Sequence, residues 1–199
     1  MKILAINGSH RKGKNTARML EVALEEVKNE GIETELLEIT DLNIKSCTCC
    51  NKCLFKAECS IKDDDMTELY EKLKEADGLL LGSPVYWSNV TGKLKDFMDR
   101  SRPLHMTANY LEGKVGGALA HAGMRNGGQE MALQVMHNFL LGHGFLVVKD
   151  RQGKEPILGT GAMGTMFKDV DGKRVSFYKR VDEDKVAIET ARSLGRNMA

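Results

Sequence analysis

Five cysteines fall between Cys47 and Cys59, and no other stretch of this chain concentrates so much reactive chemistry. Four of them, Cys47, Cys50, Cys53 and Cys59, follow the spacing C-x2-C-x2-C-x5-C. Two-residue gaps let successive thiolates converge on one centre, and the first three cysteines are spaced as in the cluster-binding run of bacterial ferredoxins. Because the chain has no second set of cysteines, we expect Cys59 to return to the same centre, a [4Fe–4S] cluster.

The spacing leaves other roles open for these thiols. An odd number of closely spaced cysteines is a poor disulfide framework, and in a reducing compartment such a segment binds metal or does redox chemistry. The alternatives to an iron–sulfur cluster are a structural zinc site and a thiol–disulfide relay. Cys49 is extra, and it is either a free thiol or a ligand in place of Cys50.

A glycine-containing loop, residues 8–16, lies between the first predicted strand and the first predicted helix. There a phosphate would meet the amide groups and the positive end of the helix. The spacing matches neither the Walker A loop nor the dinucleotide fingerprint, so it favours a ligand with one phosphate. The alternatives are a polar turn that caps the helix and, for the histidine, a solvent-facing position. The candidate residues are Ser9, His10, Arg11, Asn15 and Thr16.

Two further loops follow later predicted strands. The first holds the only tryptophan, next to a tyrosine, and such an aromatic pair on a loop favours a planar ligand. The second is rich in glycine, which lets backbone N–H groups approach a ligand closely. The alternatives are a tryptophan that covers the core and a flexible turn. The candidate residues are Pro84, Val85, Tyr86 and Trp87 in the first loop and Ala122, Gly123, Met124, Arg125, Gly127 and Gly128 in the second.

These loops resemble those of the NADPH-dependent FMN reductase family of flavodoxin-like proteins. The resemblance rests on residues 8–16, on Gly82-Ser-Pro-Val-Tyr-Trp87 and on Gly92-Lys-Leu-Lys-Asp-Phe-Met-Asp99, and it extends to about residue 150. It implies that the phosphate of FMN is held by Ser9, Arg11, Asn15 and Thr16. It also implies that residues 84–87 run beside the isoalloxazine ring and that residues 122–128 bound its far side.

The cysteine segment resembles that of the iron–sulfur flavoproteins of archaea and anaerobes, a branch of this family in which the segment follows the second strand. This resemblance implies one FMN and one [4Fe–4S] cluster per subunit. It also implies a homodimer or homotetramer that brings the cluster of one subunit near the flavin of another. The expected electron donor is ferredoxin or another small electron carrier.

Alternating strands and helices must position these loops. Short apolar runs predict parallel strands, and apolar residues at helical spacing predict helices. The pattern predicts one α/β domain over residues 1–199, a flavodoxin-like, doubly wound five-stranded parallel sheet with its ligand at the carboxyl edge. Residues 45–62 form a predicted cysteine-rich insertion after strand 2, and residues 151–180 a Gly-rich C-terminal extension with a hairpin at 170–175. The predicted strands are 2–7, 34–39, 78–81, 115–121 and 145–148, and the predicted helices are 15–28, 65–75, 91–101, 129–141 and 182–197.

The composition excludes several classes of function. The 29 Lys and Arg residues nearly balance the 28 Asp and Glu residues, so there is no electrostatic case for binding nucleic acid or an anionic membrane. No apolar run is long enough to span a bilayer, and the first residues lack the features of a signal peptide. We therefore expect a cytoplasmic protein. The consecutive aspartates 63–65 are expected to cap the next helix rather than act in acid–base catalysis.

Together these features predict a redox function. The leading hypothesis is an electron-transfer protein or flavin oxidoreductase that holds FMN and a [4Fe–4S] cluster and couples one-electron to two-electron chemistry. A competing hypothesis is an NAD(P)H-dependent FMN or quinone reductase whose cysteine loop holds zinc. A third is a redox sensor in which oxidation of the cysteines alters oligomerisation.

Overall fold

The computed structural model describes residues 1–151, 153 and 156–199. None of the helices in this part of the chain has the length and apolar character needed to cross a bilayer. The strands are β1 (Lys2–Asn7), β2 (Glu33–Glu38), β3 (Gly78–Pro84), β4 (Val115–Ala122), β5 (Leu146–Val147), β6 (Ala162–Thr165), β7 (Phe167–Asp171) and β8 (Arg174–Phe177). The α-helices are α1 (Asn15–Asn29), α2 (Met66–Glu75), α3 (Gly92–Arg100), α4 (Gln129–Gly142) and α5 (Lys185–Met198).

The main sheet has the strand order β2-β1-β3-β4-β5, and all neighbouring strands are parallel. Helices α1 and α5 cover one face, and α2, α3 and α4 cover the other. From β1 the chain first adds β2 on one side and then continues with β3 on the other side, so the strand order reverses between β1 and β3. In sheets of this kind, ligands bind outside the carboxyl ends of the strands at this switch point. The predicted flavodoxin-like α/β fold is confirmed.

The central strands are buried on both faces. Along β1, Leu4 and Ile6 face the layer that contains α3, whereas Ile3 and Ala5 face the layer that contains α1. All four side chains are fully buried. A parallel strand in this position must be apolar at every residue, and this is why short apolar runs identified it in the sequence.

The fifth position of the sheet differs from the prediction. β5 spans only two residues and pairs with the beginning of β4. The end of β4 pairs instead with β6, which lies in the Gly-rich stretch assigned to an extension. The sequence Ala-Met-Gly-Thr lacks both an apolar run and alternation, and its glycine lowers strand propensity. That glycine is needed because a Cβ at Gly164 would lie 2.9 Å from Met19 and 3.0 Å from Ala187.

The rest of residues 151–180 contains the predicted hairpin. β7 and β8 pair in antiparallel fashion, and Gly172 in the turn between them has a φ of +58°. Gln152, Lys154 and Glu155 belong to the same predicted extension but lie outside the described residues.

The cysteine segment, residues 43–65, connects β2 to α2 and contains little regular structure. Its one helical turn among the described residues is a 3-10 turn at Lys52–Leu54. The backbone hydrogen bonds of a sheet or helix therefore do not fix this segment, and side chains must hold it in place.

Candidate functional site

Three loops meet at the carboxyl edge of the sheet: loop 1 (residues 8–14), loop 2 (residues 85–91) and loop 3 (residues 123–128). Loops 1 and 2 are joined directly. The Gly8 N–H donates to the Gly82 carbonyl at 2.7 Å, and the Thr91 hydroxyl donates to the Gly8 carbonyl at 2.6 Å. The topology therefore brings together the three segments in which the sequence predicted ligand contacts.

The side chains of loop 1 hold it in a tight conformation. The Ser9 N–H donates to Asn7 Oδ1 at 3.1 Å, and the Ser9 hydroxyl accepts from the Arg11 N–H at 3.0 Å. Gly13 adopts a φ of +63°, and its N–H donates to Glu38 at 3.0 Å. The loop is thus shaped by the protein itself, and Ser9 contributes to that shape whether or not it also contacts a ligand.

Helix α1 begins next to loop 1 with no capping side chain and no acidic residue in its first turn. Its first N–H groups have no partner within the helix, and the positive end of the dipole lies there, so an anion is favoured. Thr16 is buried at this point. The Asn15 side chain is engaged elsewhere, since Nδ2 donates to Met166 Sδ at 2.7 Å and Oδ1 accepts from the Val181 N–H at 3.2 Å. Phosphate binding by Asn15 stays a prediction, and in this arrangement its backbone N–H is the group available.

Loop 2 contains a tight turn with two residues in an unfavourable conformation. Tyr86 and Asn89 exchange backbone hydrogen bonds of 2.9 and 3.0 Å, and between them Trp87 and Ser88 have φ values of +50° and +57°. Non-glycine residues adopt this region at an energetic cost and are enriched there at functional sites. Trp87 is fully exposed, so the alternative that it covers the core is wrong. The Tyr86 ring lies 5.5 Å from that of His10 in loop 1, so both rings border the same edge.

Pro84 and Val85, the first two candidate residues of this region, lie where β3 ends and loop 2 begins. Pro84 ends β3, and the Val85 N–H donates to the carbonyl of His121 at 2.9 Å. Both side chains are half-buried. This bond links the ends of β3 and β4, so loops 2 and 3 start from neighbouring points of the sheet.

Loop 3 lies directly against loop 2. Gly128 has a φ of +96°, and a Cβ there would lie 2.7 Å from Ser88 Oγ and 2.8 Å from Ser88 Cα. Any side chain at this position would force the loops apart. The other predicted residues of the loop start from the buried Ala122 and continue through the exposed Gly123, Met124 and Arg125 to the half-buried Gly127.

His121, at the end of β4, is a candidate residue that sequence reasoning missed. Its side chain is 4% exposed, and Nε2 has no hydrogen-bond partner among the described residues. Burial lowers its pKa from 6.5 to about 4, with Arg11 acting in the same direction and Asp184 opposing it. The imidazole is therefore neutral at physiological pH. The signal in the sequence that could have identified His121 was its position as a polar residue within the apolar run of β4.

The four predicted cysteine ligands line one small cavity. Its wall consists of Cys47, Cys50, Cys53 and Cys59 together with Thr48, Asn51, Ser60, Ile61, Asp99, Arg100, Arg102 and Pro103. Cys49 is exposed and is not part of this wall. The thiol of Cys50 lies 2.9 Å from the Ser60 hydroxyl, and this hydrogen bond lowers the pKa of Cys50. The cavity thus brings together the four cysteines of the C-x2-C-x2-C-x5-C pattern and leaves the fifth outside.

Two of the three aspartates that follow the cysteines tie the two ends of the segment together, and one of these also attaches it to α3. Asp65 accepts from the Asn43 N–H at 2.6 Å, and Asp64 accepts from the Lys45 N–H at 3.0 Å. Asp64 also forms a fully buried ion pair with Arg100 at the end of α3. The predicted capping role is wrong for Asp65, which occupies the N-cap position of α2 but whose side chain accepts no hydrogen bond from the helix. Asp64 instead accepts a hydrogen bond from the N–H of Met66, the first residue of α2.

The cysteine cavity offers four thiol groups as possible ligands. Among the described residues, no three His, Cys, Asp or Glu side chains are close enough together to hold one metal ion. A [4Fe–4S] cluster binds each thiolate at a different iron, so its ligands lie further apart than those of one zinc. Both kinds of centre take four thiolates, the number that lines this cavity.

A doubly wound sheet whose switch point is bordered by loop 1, an exposed aromatic turn and a glycine-rich third loop is the architecture of flavodoxin-like proteins. The chain belongs to the NADPH-dependent FMN reductase family, whose model matches residues 1–153. This membership supports FMN as the cofactor and a flavin oxidoreductase or electron-transfer function.

Curated relatives point to one branch of this family. An iron–sulfur flavoprotein of Methanocaldococcus jannaschii is 42% identical over 199 residues, which cover 100% of this chain and 96% of the relative. An iron–sulfur flavoprotein of Archaeoglobus fulgidus is 39% identical, with 100% and 94% covered. An NAD(P)H dehydrogenase (quinone) of Trichlorobacter lovleyi is 30% identical over 140 residues, with 67% and 65% covered. The resemblance predicted from the sequence is confirmed.

Solved structures agree on the fold. An NAD(P)H:quinone oxidoreductase from Methanothermobacter marburgensis has a TM-score of 0.68 at 21% identity, and the match covers 100% of this chain and 96% of that one. A flavodoxin from the domain Archaea has a TM-score of 0.58 at 16% identity, with the same coverage. At these identities the similarity shows the fold alone.

Proposed function

We propose that this protein transfers electrons between one-electron and two-electron carriers, with FMN at the carboxyl edge of the sheet and a [4Fe–4S] cluster in the cysteine cavity. The observation that carries the proposal is the cavity itself, in which a chain of the FMN reductase family gathers four thiols. FMN exchanges up to two electrons and a cluster one, so a protein with both connects the two kinds of chemistry. The names of full-length relatives support the same pairing.

The carboxyl edge would hold FMN through three kinds of contact. The uncapped start of α1 and the N–H groups of loop 1 suit the phosphate, and the exposed Arg11 adds a positive charge. Tyr86 and Trp87 offer aromatic faces to the flavin ring. The backbone of loop 3, which Gly128 keeps close to loop 2, offers N–H groups to the polar edge of the ring.

The cysteine cavity would hold its cluster through Cys47, Cys50, Cys53 and Cys59 as thiolates. The Ser60 hydroxyl favours the thiolate of Cys50, since their hydrogen bond lowers the pKa of that thiol. Arginine side chains in the cavity wall favour the negative charge of bound thiolates. Cys49 has no assigned role in this proposal and is treated as a free thiol.

Helix α3 separates the two sites. Thr91 at its start contacts loop 1, and Arg100 at its end lines the cysteine cavity. Nine residues at the rise of an α-helix span about 13 Å. We further propose a homodimer or homotetramer in which one subunit's cluster approaches another subunit's flavin. Ferredoxin or another small carrier would deliver the electrons, and the free thiols favour the cytoplasm.

A second candidate function draws on the quinone-reducing relative. In that case NAD(P)H would deliver its electrons directly to FMN, and the cysteine segment would hold zinc or sense the redox state of its surroundings.

Analysis of protein purified without oxygen separates these candidates. We expect iron and acid-labile sulfide at about four each per FMN, and broad visible absorption beside the flavin bands. Stoichiometric zinc with a purely flavin spectrum would contradict the cluster. Anaerobic mixing with NADPH, and separately with reduced ferredoxin, then shows which donor bleaches the flavin. Rapid bleaching by NADPH alone would favour the second candidate.

A further inference from the structure

A buried arginine forms part of the wall of the cysteine cavity. Arg100 is the last residue of α3, and its side chain is 1% exposed. It lines the same cavity as the four predicted ligands. A charged side chain that is buried to this degree needs a hydrogen-bond partner for each of its N–H groups. The hydrogen bonds of Arg100 show which of its N–H groups have a partner in the protein.

The two Nη groups of Arg100 are fully engaged. Nη1 donates to the Lys45 carbonyl at 2.7 Å and to Asp64, and Nη2 donates to the second oxygen of Asp64 at 3.0 Å and to the Ile61 carbonyl at 3.5 Å. The remaining group, Nε–H, is buried and has no acceptor among the described residues. The ion pair with Asp64 therefore anchors the guanidinium and leaves one N–H on the edge that carries Nε.

Cys59 lines the same cavity and is an electrostatic neighbour of this arginine. The Tyr70 hydroxyl donates to the Arg100 carbonyl at 2.6 Å, and Cys59 lies near this hydroxyl, contributing to the raised pKa of Tyr70. Burial acts to lower the pKa of Arg100, but the hydrogen bond to Asp64 and the charge of Cys59 raise it further than burial lowers it. The guanidinium is therefore positively charged beside Cys59.

We propose that Arg100 tunes the reduction potential of the cluster: its buried Nε–H, which lines the cysteine cavity and has no acceptor among the described residues, would donate to a cluster sulfide or a ligand sulfur when the cluster is bound. This inference rests on the proposed function, since it requires the cluster. Arg100 is a positioning and tuning residue, and it is not a cluster ligand.

The direction of the effect follows from charge. One-electron reduction of the cluster, by the carrier that serves as donor, adds one negative charge to it. A hydrogen bond to sulfur stabilises the more negative state more strongly, so it raises the reduction potential. Asp64 neutralises most of the charge of Arg100, and the directional N–H bond is therefore the main contribution.

The first experiment uses the wild-type fold and begins with iron and sulfide content. Protein labelled with nitrogen-15 arginine is reduced with dithionite, and pulsed EPR of the reduced cluster is recorded. We expect a resolved coupling to one arginine nitrogen. Arg102 also lines the cavity, so the measurement is repeated in Arg102→Lys, in which the coupling should persist.

The second experiment measures the midpoint potential of the cluster in Arg100→Lys. Lysine retains the positive charge for Asp64 but lacks Nε–H, so we expect a lower potential. A tenfold change in the reduction equilibrium corresponds to about 59 mV for one electron, and a shift of this order is expected. Arg192→Lys serves as the control, because this arginine lies on α5 and pairs with Glu26, and it should leave the potential unchanged.

The outcomes are distinguishable. Wild-type protein without iron and sulfide overturns the proposed function, and this inference with it. A loaded wild-type cluster without coupling to an arginine nitrogen overturns the role of Arg100 alone, whatever the stability of the lysine variant. A coupling in the wild type together with an unchanged potential in a cluster-loaded Arg100→Lys also overturns it.

Discussion

The three loops at the carboxyl edge of the sheet and the cysteine segment are held in place in different ways. Loops 1, 2 and 3 each continue from a buried strand, and backbone bonds such as that from Gly8 to Gly82 set their spacing. The cysteine segment has no strand, and it depends on side chains, chiefly the buried pair of Asp64 and Arg100. The sheet topology determines the first site, whereas a few polar side chains determine the second. Single substitutions should therefore affect the two sites separately.

The largest expected effect is the complete loss of one site without loss of the other. Cys53 is the buried member of the cysteine cluster, and Cys53→Ala should remove iron because the cavity loses its buried thiolate ligand. FMN content should stay at the wild-type level, since loops 1 to 3 are unchanged. Iron and flavin analysis after anaerobic purification measures both. The matched control is Cys49→Ala, which lies outside the cavity and should keep its iron. Full iron in Cys53→Ala would contradict the ligand assignment.

A smaller effect is expected from removing the anchor of the cysteine segment. Asp64→Asn leaves the buried Arg100 without its counter-charge, and loss of one partner of a buried pair lowers the free energy of unfolding by about 3–5 kcal/mol. Urea unfolding of the anaerobic protein measures this change. Asp63→Asn is the control, because its ion pair with Lys45 is exposed and should contribute little. Equal stability of the two variants would mean that the buried pair does not anchor the segment.

At the flavin edge, Arg11→Ala should weaken FMN binding by about 1–3 kcal/mol if the side chain donates to the phosphate. Titration of the apoprotein with FMN measures the affinity. Lys12→Ala provides a neighbouring control, because Lys12 already pairs with Asp41. Iron content should be unaffected in both variants, which tests the independence of the two sites. An unchanged FMN affinity in Arg11→Ala would remove this residue from the phosphate site.

The smallest effect concerns pH. His143 Nε2 lies 2.8 Å from the hydroxyl of Ser101, next to Arg100, and burial followed by the nearby His105 lowers its pKa from 6.5 to about 4. Below pH 6.5 the unfolded chain therefore binds a proton that the folded protein does not, so the free energy of unfolding falls as the pH falls towards 4. At pH 5.5 the loss is about 1 kcal/mol from this residue. Urea unfolding at pH 7.5 and 5.5 should show a smaller pH dependence in His143→Gln than in the wild type. An identical pH dependence in the two proteins would mean that His143 is not responsible for the loss of stability at low pH.

Sequence patterns predicted what rests on local or strictly periodic features. Buried parallel strands require continuous apolar runs, and these identified β1 and the cores of β3 and β4. Their carboxyl ends then located the three loops in which ligand contacts are predicted. β6 escaped prediction because its residues were selected for close packing against α1 and α5, as Gly164 shows, and not for strand propensity. The side-chain engagement of Asn15 with Met166, 151 residues away, was equally invisible.

The sequence by itself determined the fold class, the three loops that meet at one edge of the sheet and the four cysteines that line one cavity, because periodicity and spacing are properties of a single segment. Only the tertiary structure decided that Cys49 stands outside the cavity, that Asp64 pairs with Arg100 and that His121 lies buried with Nε2 unpaired. Each of these depends on which distant residues are excluded from water together. That is set by the packing of helices on the sheet, and it leaves no local pattern in the chain.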